Sequence, residues 1–486
     1  STLCLSLNYV YAFKFNDTLS VEQKITQGLY DYLNATKQEK LFVHVDKESC
    51  QAGDTLWFKG YLLSAATNLP ADLSRYIYVE LADRTNTIHW REKIGLSGSD
   101  STFSGVFPVS ENLKQGDYIF HAYTYWMQNQ DDAFHFTKRI RIVNPYDHKV
   151  RCNIEVVSDG GAGRRVLRVT FLNKDGERYE NLPFLYKIPG ETPDHVVEWS
   201  YTGYNGISRI TIKDSTSDHI WIRSANSSQW DIEQYLQIPG ARIDYDVQFF
   251  PEGGSLISNH KQRIAFKALR RDGLGLKVRG VIQDSDGAHV ANIESNALGM
   301  GSVELVLSQN KSYKAIFEGE DGNSKEFMLP VPGIGNDCSL KLNISGESVS
   351  YDILSNSVKS FSSSKLIIHS KGIPMAIFNA ESMRNKSMNL SGAPEGILHF
   401  VLVDSALNSI SERLWFHRNP TREYIEIEPP RSRVKPREDA HIAIQLGSKT
   451  PFSVNGDFSV SVINTGQSRN EINGGGIDAY TLLTSD

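Results

Sequence analysis

The sequence predicts an all-β protein: a tandem array of antiparallel β-sandwiches behind one short N-terminal helix. Three observations predict it. Short runs alternate apolar and polar residues, the period of a half-buried strand, from residue 39 almost to the end of the chain. Turn residues punctuate those runs, as at Gly53-Asp54, Gly116-Asp117 and Asn173-Lys174-Asp175-Gly176. No helical pattern interleaves the strands, which argues against a parallel α/β domain. At 486 residues the chain exceeds one ordinary core, and its length suggests about 3–5 domains.

The helix comes first. Val21, Ile25, Leu29 and Leu33 recur at four-residue spacing, and Ser20 can cap the start. This predicts a helix over 21–36 packed on the first sandwich. Upstream, Leu3 to Ala12 is apolar and almost uncharged, and Val10-Tyr11-Ala12 loosely fits a cleavage site, so residues 1–12 are expected to be the remnant of an export signal. Residues 13–38 then form the helical segment.

The first sandwich is expected over 39–146, with about seven strands near 40–45, 54–63, 76–82, 88–94, 105–109, 117–125 and 134–143. Asn144-Pro145 closes it, because proline cannot donate to a ladder. Further sandwiches are expected over 147–240, 241–333 and 334–419. A fifth, over 420–486, is expected to be incomplete. Its stretch Arg433-Val434-Lys435-Pro436-Arg437-Glu438 mirrors the opening of the first.

Net charge is −6, from 51 basic and 57 acidic side chains. No basic run has the footprint of a nucleic-acid site; the patches 138–141 and 431–437 are expected to be solvated faces. No apolar run reaches transmembrane length. Cys4, Cys50, Cys152 and Cys338 are scattered and form no CxxC pair, so buried free thiols are expected rather than a zinc site.

The stretches Leu41 to Lys47 (LFVHVDK), Ala52 to Tyr61 (AGDTLWFKGY), Tyr78 to Leu81 (YVEL) and Gly116 to Met127 (GDYIFHAYTYWM) carry a resemblance. Phe249 to Leu256 (FFPEGGSL), Gly299-Met300-Gly301, Ser411 to Phe416 (SERLWF) and Tyr480 to Asp486 (YTLLTSD) extend it. The first unit resembles the macroglobulin-like MG2 domain of the alpha-2-macroglobulin family. The whole chain after residue 38 is similar to the N-terminal part of large cell-envelope proteins of Bacteroidota that carry such domains. The resemblance implies tandem macroglobulin-like or immunoglobulin-like sandwiches, export to the periplasm or outer membrane, and a protein partner there. Such relatives often continue into a carboxypeptidase-regulatory-like module and a TonB-dependent receptor plug-like domain. One departure matters: the CGEQ thioester motif of protease-trapping macroglobulins does not occur here.

Catalytic patterns fare poorly. There is no HExxH and no GxSxG elbow. His44 and Asp46 share one strand face and, with His121, could make a polar cluster, though solvated strand positions explain them as well. Asp46 and Asp54 are tested as paired acids, and the Gly-Asp turn accounts for Asp54. Asp284-Ser285-Asp286-Gly287 is a hairpin turn rather than a calcium loop. Phe249-Phe250-Pro251-Glu252-Gly253-Gly254 is read as interdomain architecture, with glycines at positive φ. Tyr118, Tyr123, Tyr125, Trp126 and Phe134 crowd one hairpin. Strand alternation sends half of them to the core. The partner-binding or interdomain candidates are therefore Tyr123, Tyr125, Trp126, Phe249, Phe250 and Glu252, with no catalytic residue, metal or cofactor. The expected function is a non-enzymatic envelope scaffold that binds another protein. The alternatives are a thioester-free protease inhibitor or sensor, cut in an exposed loop at 190–206 or 380–395, and a glycan-binding or uptake-associated surface protein.

Overall fold

The computed structural model describes residues 19–83, 86–97, 100–144, 150–159, 164–173, 175–188, 197–213, 219–224, 233–239, 245–270, 273–318, 324–333, 338–356, 361–418, 424–428, 438–447, 457–462 and 475–485. The expected signal remnant at 1–12, Cys4, and the patch at 431–437 lie outside them.

Helix α1 spans Val21–Thr36 and opens with a reciprocal cap. Gln23 N–H donates to Ser20 Oγ at 3.2 Å, and Ser20 N–H donates to Gln23 Oε1 at 2.9 Å. Its apolar stripe does not pack on the first sandwich as the sequence suggests. Ile25 and Leu29 instead pack against Ile367, Ile377, Val401 and Val403, on the outer face of a later sheet. Glu22 accepts from Lys365 Nζ at 2.5 Å, and that bond holds its carboxyl down at about 2. The stripe fixes that an apolar surface is covered; it carries no information about which one.

Among the described residues, the strands as far as His417 fall into four repeats of one plan. The first contains β1 (Glu39–Val45), β2 (Ser49–Gln51), β3 (Thr55–Ser64), β4 (Tyr76–Ala82), β5 (Ile88–Gly95), β6 (Thr102–Pro108), β7 (Gly116–Thr124) and β8 (Phe136–Val143), in sheets ordered β1-β3-β6 and β2-β8-β7-β4-β5. The second contains β9 (Arg151–Asp159), β10 (Arg164–Leu172), β11 (Pro183–Lys187), β12 (Glu198–Tyr201), β13 (Ile207–Lys213), β14 (His219–Ser224) and β15 (Glu233–Gln237), ordered β13-β10-β9 and β12-β11-β14-β15. The third contains β16 (Tyr245–Pro251), β17 (Lys261–Arg270), β18 (Arg279–Asp284), β19 (His289–Glu294), β20 (Met300–Val306), β21 (Tyr313–Glu318) and β22 (Ser324–Met328), ordered β16-β17-β20 and β19-β18-β21-β22. The fourth contains β23 (Cys338–Ser345), β24 (Ser348–Ser355), β25 (Lys365–Ser370), β26 (Ile373–Asn379), β27 (Met388–Asn389), β28 (Gly396–Val403) and β29 (Ser409–His417), ordered β23-β24-β27 and β26-β25-β28-β29.

Setting β2 aside, each repeat places its first, second and fifth strands in one sheet and its other four in a second. A constant-type immunoglobulin domain pairs the fourth strand with the fifth; here the fourth has crossed over to pair with the third. In the first sandwich one apolar cluster joins both sheets, with Leu41, Leu56 and Phe58 from one and Ile77, Val79 and Phe120 from the other. The second and third have single clusters of the same kind, around Phe171 and Phe184 and around Phe266 and Phe317.

Short strand β2 departs from the antiparallel expectation. It pairs parallel with β8 because the chain changes sheets at Ala52-Gly53. Gly53 takes φ +86°, where a side chain is strained. Its N–H reaches Val109 O while Ala52 N–H reaches Val143 O, both at 2.9 Å. Strand β8 starts later than the sequence suggests because Asp131 accepts from Ala133 N–H and winds Asp132–Phe134 into a 3₁₀ turn. Buried Glu39 is satisfied by three donors: Ser74 N–H at 3.0 Å, Ser74 O–H at 2.7 Å and Thr124 O–H at 2.6 Å.

Contacts divide the chain into two compact units. One holds Ser1–Val143, Leu340–Asp352 and Ser360–Asp486; the other holds Asn144–Ser339 and Ile353–Lys359. In the first unit, β30 (Tyr424–Glu428) and β31 (Ala443–Gly447) form an antiparallel ribbon. Helix α2 (Ile477–Ala479) runs into a π turn at Tyr480–Thr484, and the Tyr480 ring packs on Phe42 and Phe136. Cys50, Cys152 and Cys338 are buried and form no disulfide, and burial pushes the thiols of Cys50 and Cys152 up to about 12. No helix among the described residues is long and apolar enough to cross a membrane.

Candidate binding surface of the first sandwich

The outer face of the β2-β8-β7-β4-β5 sheet carries a connected arrangement of polar and aromatic groups. Register builds it. Tyr78 lies opposite Lys93 on one side and Tyr123 on the other. Two residues along, Glu80 lies opposite Arg91 and His121. Directly opposed side chains on one face touch, so two rows form across three strands.

In the first row, Tyr78 stacks on Tyr123 at 5.6 Å and 19°. Tyr123 stacks in turn on His135 at 5.0 Å and 18°. Lys93 Nζ sits 4.3 Å from the centroid of Tyr76 and 5.6 Å from that of Tyr78, a cation–π arrangement. In the second row, Glu80 is buried and well supplied with partners. Its Oε1 accepts from Tyr123 O–H at 2.7 Å and from Arg91 Nε–H at 2.8 Å. His121 Nδ1 stands 3.8 Å from Glu80 Oε2, and His121 Nε2 shares a hydrogen bond with His135 Nδ1 at 3.0 Å.

These contacts set protonation. Burial, reinforced by the hydrogen bond to Glu80, pushes Tyr123 up to about 12, so it stays a donor. Burial, then the neighbouring His135, holds His121 below its ordinary value, with Glu80 opposing. The result is a network whose members fix one another's orientation.

The sequence candidates distribute unevenly over this surface. Tyr123 is 8% exposed and acts as a supporting member of the network. Tyr125 is 74% exposed and stands at the end of β7. Trp126 exposes part of its ring while its Nε1–H donates to Lys37 O at 2.6 Å. Phe134 is exposed nearby in sequence, in the 3₁₀ turn before β8, whereas Tyr118 is core. Sequence reasoning missed Tyr78, Glu80, Arg91, Lys93 and His135. Their signal is present: alternate residues of YIYVEL point to one face, and a glutamate among them demands a partner on the strands alongside.

Elsewhere the structure separates groups that the sequence places together. His44 and His121 lie on opposite sheets, so no His44–Asp46–His121 cluster exists. Burial, then the Lys138 charge, lowers His44, whose Nδ1 meets Ser459 Oγ. Asp46 Oδ1 accepts from Trp57 N–H, and Lys47 bridges Asp46 and Asp54 at 4.0 and 2.6 Å, which removes them as a catalytic acid pair. Lys311 binds Asp284 at 2.6 Å and Asp286 at 2.8 Å, so an ammonium occupies that turn.

Phe249 packs on the third core, 6.2 Å from Phe266, while Phe250 is half exposed. The Glu252 carboxylate lies 3.9 Å from Arg263, and its carbonyl accepts from Ser339 O–H. Gly253 and Gly254 take φ +84° and +90°. Within the expected protease-sensitive loop 380–395, Met388–Asn389 pairs with β24, Asn385 N–H reaches Tyr351 O, and Arg384 binds Asp352 at 2.7 Å. That segment is anchored rather than free. Of loop 190–206, residues 190–196 lie outside the described residues. Among the described residues, no group of three or more His, Cys, Asp or Glu side chains is placed to hold a metal ion.

No protein-family model matches the chain, and no curated protein does. Solved structures show a weak, partial likeness to alpha-2-macroglobulin folds. The native Escherichia coli alpha-2-macroglobulin is 10% identical with a TM-score of 0.32, and the alignment covers 85% of this chain and 32% of that one. A mutant Salmonella alpha-2-macroglobulin is 11% identical with a TM-score of 0.31, covering 85% and 32%. The Escherichia coli adhesin FdeC is 13% identical with a TM-score of 0.22, covering 61% and 97%. The chain therefore spans about a third of the length of the macroglobulins it resembles.

Proposed function

We propose that the chain is a non-catalytic scaffold of the cell envelope that binds a protein through the outer face of the β2-β8-β7-β4-β5 sheet. The single observation that carries this is the pre-organised row Lys93–Tyr78–Tyr123–His135, buttressed by Glu80 and Arg91. Rigid aromatics lose little entropy on binding and are favoured at the centres of protein interfaces. Tyr76 and Tyr125 are its exposed anchors, at 51% and 74% exposure, with Trp126 and Phe134 as neighbours. Phe250 and Glu252 are a separate surface of the third sandwich, and Phe249 is core there.

Export, periplasmic or outer-membrane residence and kinship with Bacteroidota envelope proteins belong to the same proposal. They rest on the motif resemblance from LFVHVDK to YTLLTSD. The experiment is site-specific photo-crosslinking from positions 76 and 125 in native envelope membranes. One adduct shared by both positions, and lost on Arg91→Glu, supports the reading. Adducts that ignore Arg91, or none, overturn it.

A further inference from the structure

The opposite face of the first sandwich carries a different kind of contact. Residues Asp457 to Val462 lie over the outer face of β1-β3-β6 and touch it with every second residue, the period of an extended chain. The Asp457 carboxylate takes Lys59 Nζ on one oxygen and Thr102 O–H, at 2.9 Å, on the other. Lys59 Nζ also donates to Phe458 O at 3.3 Å. Ser459 Oγ meets both Tyr61 O–H, at 3.0 Å, and His44 Nδ1, at 2.7 Å. Ser461 O–H donates to Asp46 O. The intervening Phe458, Val460 and Val462 are 44%, 67% and 81% exposed.

This orientation is the reverse of a core strand. A strand folded onto a sheet by the hydrophobic effect turns its apolar residues inward. Here the inward residues are one carboxylate and two hydroxyls, each matched to a donor or acceptor. The contact is held by hydrogen bonds and one ion pair, interactions that net little over water. Such a contact has directional specificity and a low cost of opening. Trp57, 59% exposed, and Val106 face each other across β3 and β6, extending the same outer face past the docked residues.

We infer that the outer face of β1-β3-β6 is a strand-docking site and that Asp457–Ser461 is its occupant in cis, a reversible latch. The site recognises an extended polypeptide by a carboxylate on Lys59 and Thr102, then hydroxyls at two-residue intervals on His44, Tyr61 and the Asp46 carbonyl. Any other chain presenting that pattern has to displace the latch. The inference does not rest on the proposed partner surface, which lies on the other sheet.

Distance measurement between spin labels at the exposed positions 460 and 112 tests it on the full chain. Lys59→Glu and, separately, Asp457→Lys are expected to lower the ratio of docked to undocked molecules by about fivefold, the factor matching loss of a surface ion pair at the upper end of its range. Combining Lys59→Asp with Asp457→Lys is expected to restore the docked distance. Asp457 lies outside the sandwich strands, so its variant keeps the test valid should Lys59→Glu unfold the domain. A synthetic peptide copying residues 455–464 is expected to bind the Asp457→Lys chain more tightly than wild type, and a scrambled peptide is not. The same distance distribution in all variants, or a peptide that binds wild type and variant alike, overturns the latch.

Discussion

The two outer faces of the first sandwich share one core and end up in opposite states. Over β1-β3-β6, polar side chains are matched by a segment of the same chain, Asp457 to Ser461. Over β2-β8-β7-β4-β5, aromatic and charged side chains are matched mainly to one another, around Glu80 and Tyr123. The first face is matched because a segment of the same chain is already on it. The second is specific because its own side chains are locked before anything arrives. Pre-organisation lowers the ordering cost of association, which is why the second face is assigned the external partner.

The comparison can be broken from the inside. Phe120 is fully buried between the two sheets. Phe120→Ala is expected to destabilise the domain by about 3–5 kcal/mol and to loosen both faces together, read by chemical denaturation and exchange at 39–143. Loss confined to one face would contradict a shared core. Gly53→Val acts on the crossing between the sheets. Its φ is +86°, and Glu111 Cγ stands 3.3 Å from the point an added Cβ would occupy. The cost is expected to be about 1–3 kcal/mol, and a near-zero change in melting temperature would count against the strained turn.

Glu80→Gln sharpens the contrast. It removes the charged acceptor of Arg91 and Tyr123 and is expected to cost about 1.5–3 kcal/mol. Exchange at β4 and β7 should rise while Asp457–Ser461 keeps its docked distance to the first sandwich. pH separates the faces further. Burial and His135 depress His121 in the folded state, so the folded protein binds fewer protons there than the unfolded chain. Stability from this group is present above the ordinary histidine range and is lost as pH falls through it. The charged or titratable neighbours are Glu80, His135, Asp132 and Tyr123. Melting temperature is expected to fall on acidification, and less so in His121→Gln. The smallest effect is Tyr125→Ala: stability within about 0.5 kcal/mol of wild type, with the partner adduct from position 76 weakened.

Much of this is legible in the sequence. The helix at 21–36 and the strand at 76–82 follow from periodicity and caps, which are local. The positive φ of Gly53, Gly253 and Gly254 follows from turn chemistry, also local. What the sequence does not disclose depends on which strands become neighbours. Helix α1 covers β25, β26 and β28 rather than the first sandwich, because an amphipathic stripe does not name its partner. Residues Glu80, Arg91, His121 and His135 come from four separate segments, and register alone brings them together. Asp457 and Lys59 are farther apart still, and the alternation in DFSVSV does not say that its aspartate and serines, rather than its valines, meet the sheet.

The measurement that bears most directly on the central claim is photo-crosslinking from position 125 in native envelope membranes, with position 460 as the control on the other face. One partner adduct from position 125, absent from position 460 and abolished by Arg91→Glu, is the predicted result. The same adducts from both positions, or an adduct indifferent to Arg91, would contradict the assignment of that face to partner binding.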